Sequence, residues 1–184
     1  MSFALFESCM NGAFRIQTLQ DVNAATAGIQ ALLNTEKERL SNMRYGKQLG
    51  LQLDDTEWRI ARLMAERLFR LYGKKHDTRM RPSFLGCGVL FAAEGDVHYE
   101  ETLVEVKAGS RSISVYDLRQ LLVYAALNDR SKEYPIRSLE ICNPRTGFRW
   151  HERLAVVAEN IAGATSVEIY NEIIDYVSSE HRSL

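Results

Sequence analysis

Residues 95–109, GDVHYEETLVEVKAG, constrain the fold of this chain more than any other segment. From Thr102 to Lys107 the composition is that of an interior or half-buried strand. A period of two places Leu103, Glu105 and Lys107 on one face and Thr102, Val104 and Val106 on the other. A carboxylate and an ammonium therefore share a face that should be mostly apolar. Charges in such a place are costly unless they are paired, hydrated or bound to a metal ion. Asp96 stands at the opening of the preceding strand. The polar stretch 98–101 predicts a turn that brings the chain back antiparallel into 102–107.

The rest of the chain supplies helices around this strand. Leu19, Val22, Ala25, Ile29, Leu32 and Leu33 predict an amphipathic helix over 18–34, followed by a polar connecting or flanking segment over 35–53. Asp54 or Asp55 caps a second helix that runs to about Tyr72, with Gly73 at its end and a stripe at Trp58, Ala61, Met64, Ala65, Leu68 and Leu71. Gly86 and Gly88 mark a place where backbone approaches closely or φ turns positive, before a strand-like run. Ser114 and Asp117 have capping-box spacing and open a helix through Leu121, Leu122, Ala125 and Leu127, with Asn128-Asp129 as its stop. A strand over 136–142, a turn over 143–147, a strand at 148–150 and helices at about 152–162 and 165–178 complete the order. At 184 residues and 46% apolar composition, one compact domain is expected, with a core over about 55–151 and helical extensions at both ends.

Charge and cysteine content narrow the function classes. The net charge of -1 gives no global attraction for nucleic acid, so any phosphate contact must be local, such as the basic run Lys74, Lys75, His76, Arg79 and Arg81, or be completed by metal ions or a second subunit. Cys9, Cys87 and Cys142 lack CxxC spacing, and Cys87 reads as a packed thiol. His76, His98, His151 and His181 read as surface or hydrogen-bonding groups. No secretory leader and no long apolar run is present, which makes a cytoplasmic protein without a membrane partner the expectation.

Asp96, a gap of eight residues, then Glu105-Val106-Lys107, followed by a helix carrying Gln120, resembles the PD-(D/E)xK nuclease superfamily, also called restriction-endonuclease-like. The resemblance covers roughly residues 55–142, and Gly95-Asp96 stands where the pattern has Pro-Asp. It implies an α/β fold, a restriction-endonuclease-like core with a mixed central sheet flanked by helices. It also implies Mg2+ or Mn2+ held by Asp96, Glu105 and the Val106 carbonyl. Lys107 would orient water and offset phosphate charge, Gln120 would tune the site from its helix, and Glu66 would be an outer or second-metal ligand. Cleavage would leave 5′-phosphate and 3′-hydroxyl ends.

The implied substrate is DNA, with RNA as an alternative, in bacterial or phage-related DNA processing or defence. Arg111 and Arg119 are candidates for backbone contact, and each is equally open to a structural or solvent-facing role. A homodimer or a dedicated protein partner would supply the missing positive charge. Tyr116, Tyr124, Phe148 and Trp150 fit core packing by their periodicity, with base stacking as the other reading. Two other functions remain beside the nuclease: a noncatalytic nucleic-acid-binding protein on the same fold, and a protein-interaction domain whose Glu105–Lys107 pair is an edge-strand salt bridge.

Overall fold

The computed structural model describes residues 1–13, 31–32, 34–36, 38, 54–87 and 90–180. The chain divides into two compact units, Met1–Lys74 and Lys75–Leu184.

In the first unit, helix α1 spans Ser2–Met10 and helix α2 spans Asp55–Tyr72. The predicted cap forms: Asp54 Oδ1 accepts the Glu57 amide at 2.7 Å, and Glu57 Oε2 accepts the Asp54 amide at 3.1 Å. Trp58, Ala61, Met64, Ala65 and Leu68 are buried along one stripe, and Tyr72 takes the last buried place that the pattern gave to Leu71. Helix α1, which belongs to the expected N-terminal helical extension, buries Leu5 and Phe6 completely, and its Phe6 ring lies 6.2 Å from that of Tyr72. Residues 31, 32, 34–36 and 38 are helical. The remainder of the predicted helix over 18–34, and most of the polar segment after it, lies outside the described residues.

The second unit is a mixed sheet flanked by helices. Its strands are β1 Arg79–Met80, β2 Ser83–Phe84, β3 Ala93–Glu94, β4 Val97–Tyr99, β5 Thr102–Val106, β6 Ser138–Asn143 and β7 Phe148–Arg153. The five-stranded sheet has the order β1-β4-β5-β6-β7, and β2 pairs with β3 as a separate ribbon. All neighbours are antiparallel except β5 and β6, which are parallel. Parallel neighbours need a crossover. Helix α3, Val115–Ser131, supplies it.

Helices α4, Leu154–Ala162, and α5, Ser166–Glu180, follow the sheet. Leu103, Leu139 and Ile141 from the sheet pack with Leu121, Leu122 and Ala125 of α3, Leu154 and Val157 of α4, and Tyr170 and Ile174 of α5. The face of β5 that carries Leu103 is thus the face beneath α3.

Local sequence explains most of these boundaries. The β4–β5 turn at Glu100-Glu101 is closed by the pair Tyr99–Thr102, with Glu100 at φ 51°. Gly86 marks a close backbone approach as expected: a Cβ there would stand 2.6 Å from the Leu90 carbonyl oxygen. Helix α3 passes the predicted stop at Asn128-Asp129 and ends at Ser131, with Lys132 in the left-handed conformation. The reason is that Asn128 faces inward: its Nδ2 donates to the Tyr134 carbonyl at 2.7 Å and its Oδ1 accepts the Tyr134 amide at 2.9 Å. Among the described residues, no helix is long and apolar enough to cross a membrane.

Candidate functional site

Strand β5 and helix α3 bring the sequence-predicted residues of the second unit together. Lys107 Nζ donates to Glu105 Oε1 at 2.6 Å and to Gln120 Oε1 at 2.9 Å, and lies 3.5 Å from Asp117 Oδ1. Gln120 Nε2 donates onward to the Tyr124 hydroxyl at 2.6 Å. Because Val97 pairs with Val104, the residue before it, Asp96, stands opposite Glu105. Asp96 is fixed there by the Val106 amide, which donates to its Oδ2 at 2.7 Å, while its own carbonyl accepts the Arg81 amide at 2.9 Å.

Val106 was expected to offer its carbonyl. Its amide already holds Asp96, and in extended backbone the N–H and C=O of one residue leave on the same edge. The Val106 carbonyl is therefore directed to the Asp96 side, whereas the next amide, of Lys107, donates to Cys142 on β6 at 2.8 Å.

The electrostatics follow from burial. Glu105 is only 5% exposed. Desolvation, and then the charge of Asp96, push its pKa up from 4.5 to about 7, against the opposing hydrogen bond and charge of Lys107. Asp117 shows the reverse behaviour. It accepts Arg111 through both oxygens, at 2.9 and 2.5 Å, together with the amide and hydroxyl of Ser114 at 2.8 and 3.0 Å. Those donors, Arg111 foremost, hold its carboxyl well below the usual range. Two carboxylates near one lysine thus differ in kind: Asp117 is fully committed, and Glu105 is poised between charge states.

Lys107 meets Glu105 directly as an ion pair, one of the ways in which the cost of charge on that face is offset.

The donor set discriminates among metals. Among the described residues, no group of three or more His, Cys, Asp or Glu side chains gathers into a metal cage. Zinc-type sites need such a cage. Mg2+ is commonly held by one or two carboxylates, with water and substrate phosphate completing its shell. Asp96 and Glu105, two mutually repelling carboxylates with a backbone carbonyl on the same side, fit a hard cation of that second kind.

The other candidates have partners of their own. Glu66 belongs to the first unit, on α2, where it pairs with Arg62 at 3.6 Å. Arg111 is bound to Asp117 but keeps 58% of its side chain exposed. Arg119 lies with its guanidinium carbon 5.6 Å from the Tyr116 ring centre, a cation–π contact along the helix surface. Of the four aromatics, Tyr124 stacks on Phe84 at 5.4 Å and Trp150 packs against the core, as their periodicity suggested. Tyr116 and Phe148 do not, being 71% and 46% exposed. His98 is a buried hydrogen-bonding group whose Nε2 donates to the Pro135 carbonyl at 3.0 Å.

Asp117 and Tyr124 were not assigned to the site from sequence. The signal was present: Asp117, Gln120 and Tyr124 are spaced i, i+3 and i+7, one face of a helix.

Comparison with protein-family models, with curated proteins and with solved structures found no match to this chain.

Proposed function

We propose that the unit Lys75–Leu184 is a restriction-endonuclease-like core and that the protein hydrolyses phosphodiester bonds of DNA with Mg2+ or Mn2+. One observation carries this reading: β5 and α3 converge Glu105, Lys107 and Gln120 on one side of the sheet, with Asp96 held opposite Glu105 by the Val106 amide. The chemistry of phosphodiester cleavage needs that combination. Asp96 and Glu105, with the Val106 carbonyl, would hold the cation, which would supply Lewis-acid polarisation of the phosphate and an acidified water. Lys107 places a positive charge where negative charge grows on phosphorus oxygens. Gln120 fixes the lysine, and Tyr124 fixes Gln120.

The direct Lys107–Glu105 contact favours a second reading, a noncatalytic nucleic-acid-binding or interaction subunit in which that pair is permanently closed. A cleavage screen on single-stranded, double-stranded and branched DNA and on RNA, with Mg2+ or Mn2+, separates the two. The nuclease reading expects cutting that chelator stops and that Lys107→Ala and Glu105→Ala reduce by at least about 100-fold, with both variants folded. Nucleic acid binding without cutting, undiminished in Glu105→Ala, would establish the second reading instead.

A further inference from the structure

The register of the sheet links the carboxylate site to a cavity that the proposed chemistry does not use. Glu105 pairs with Ile141, and Ile141 pairs with Trp150, so the three form a row on one face across β5, β6 and β7. Lys107 follows Val106, whose partner Cys142 precedes Asn143, and Asn143 pairs with Phe148, which gives a second row alongside the first. The catalytic end of each row is charged and the far end is aromatic. Between α3 and the far end lies a cavity of about 710 Å³, walled by Arg111, Leu118, Ile141, Asn143, Phe148 and Trp150.

Its composition is that of a site for a flat, mostly apolar group with a polar edge. Ligand pockets combine apolar walls with a few placed polar groups, in the size range of roughly 300–1,000 Å³. Trp150 is packed against the core and gives a fixed ring, whereas the Phe148 ring is 46% exposed and stands free to cover a guest. Asn143 is rigid: its Nδ2 donates to the Gly109 carbonyl at 3.0 Å and its Oδ1 accepts the Arg145 and Thr146 amides at 2.9 and 3.2 Å. Arg111, aligned by Asp117, brings a cation to the rim on the side of the carboxylate site. Trp150 lies two strand spacings from Glu105, about 10 Å, within reach of one nucleotide whose phosphate is at the carboxylates.

We infer that this cavity receives an unstacked nucleobase of single-stranded DNA, so that the substrate class is a single strand or an unpaired end or flap rather than a closed duplex. The inference rests on the nuclease reading for the position of the phosphate. Aromatic rings take any base by its π-face, and a base in a duplex is not available to enter.

Tryptophan emission tests this in the full chain. The chain has two tryptophans, so Trp58→Phe leaves Trp150 as the reporter. Binding is measured with Ca2+ in place of Mg2+ or Mn2+, a hard cation that bridges carboxylates and phosphate, with single-stranded oligodeoxythymidine, single-stranded oligouridine RNA and a blunt DNA duplex of the same length. The expected result is quenching of Trp150 by the single strand alone, and a loss of single-strand affinity of about 5- to 150-fold in Phe148→Ala. Phe148 is an exposed edge residue, so unchanged thermal melting accompanies that loss. Single-strand binding that leaves Trp150 emission and the Phe148→Ala affinity unchanged overturns the inference, as does quenching by RNA but not DNA, or no binding. A chain that cuts duplex DNA with Mg2+ yet shows no quenching loses the pocket and keeps the nuclease. Quenching by a chain that never cuts keeps the pocket and loses the nuclease.

Discussion

Glu105 and Glu140 are buried carboxylates on the parallel neighbours β5 and β6, and they face opposite sides of the sheet because Glu140 pairs with Val104. Glu140 is fully buried and its two oxygens are occupied. Arg149 donates through Nε at 2.7 Å and Nη2 at 2.8 Å, and the Tyr99 hydroxyl donates at 2.9 Å. That is the bidentate geometry in which a guanidinium fork matches a carboxylate. Glu105 instead has a single lysine donor among the described residues, on a flexible stem, and a second carboxylate as its neighbour. Burial alone does not distinguish a saturated carboxylate from an unsaturated one. The completeness and rigidity of the partner set does.

Breaking the Glu140 side should give the largest change in stability. Arg149→Ala leaves a carboxylate buried without its cation, a loss expected on the order of 3 kcal/mol, toward the low end of such effects because the Arg149 side chain is 42% exposed. Urea unfolding measures it, and metal-dependent cleavage per folded molecule should be unchanged. A variant as stable as the parent would mean that Glu140 is not dependent on its fork.

The Glu105 side should show itself in pH rather than in absolute stability. Its folded pKa is about 7 against 4.5, so the folded chain binds the extra proton between those values and its stability falls as pH rises through that window. Relative to Glu105→Gln, the parent should lose on the order of 3 kcal/mol between acid and neutral pH. Parallel pH profiles for the two chains would remove the poised carboxylate from the account.

A smaller effect is expected at Gln120, which touches Lys107 and Tyr124. Gln120→Ala should lower cleavage about 10-fold and leave unfolding nearly unchanged. Gln120→Glu, which keeps the acceptor for Lys107, should recover part of it.

The sequence was most legible where one element carries the whole signal. Period two in β5, a cap at Asp54 and the Ser114–Asp117 cap are short-range patterns, and each forms; the turn is shorter than the polar stretch 98–101 suggested, because His98 and Tyr99 are buried in β4. The helix that carries Gln120 was legible from its cap, but Gln120 itself was singled out only through the resemblance to the nuclease pattern. The Glu140–Arg149–Tyr99 cluster was not, since it depends on which strands become neighbours and on a diagonal reach of Arg149 along β7. The cavity at Phe148 and Trp150 escaped for the same reason: alternation places Trp150 inward, but only the β5-β6-β7 order puts it in line with Glu105. Asp117 was read as a cap, and its second role beside Lys107 arises from the distance between α3 and β5.

Direct cation binding tests the central contrast between the two glutamates. In a Mn2+ titration followed by electron paramagnetic resonance, the parent chain should bind at pH 8, bind more weakly as pH falls below 7 and Glu105 takes up its proton, and lose the site in Glu105→Gln. Glu140→Gln, if folded, should bind as the parent does. Mn2+ binding that survives Glu105→Gln, or no binding by the parent at pH 8, would contradict the account.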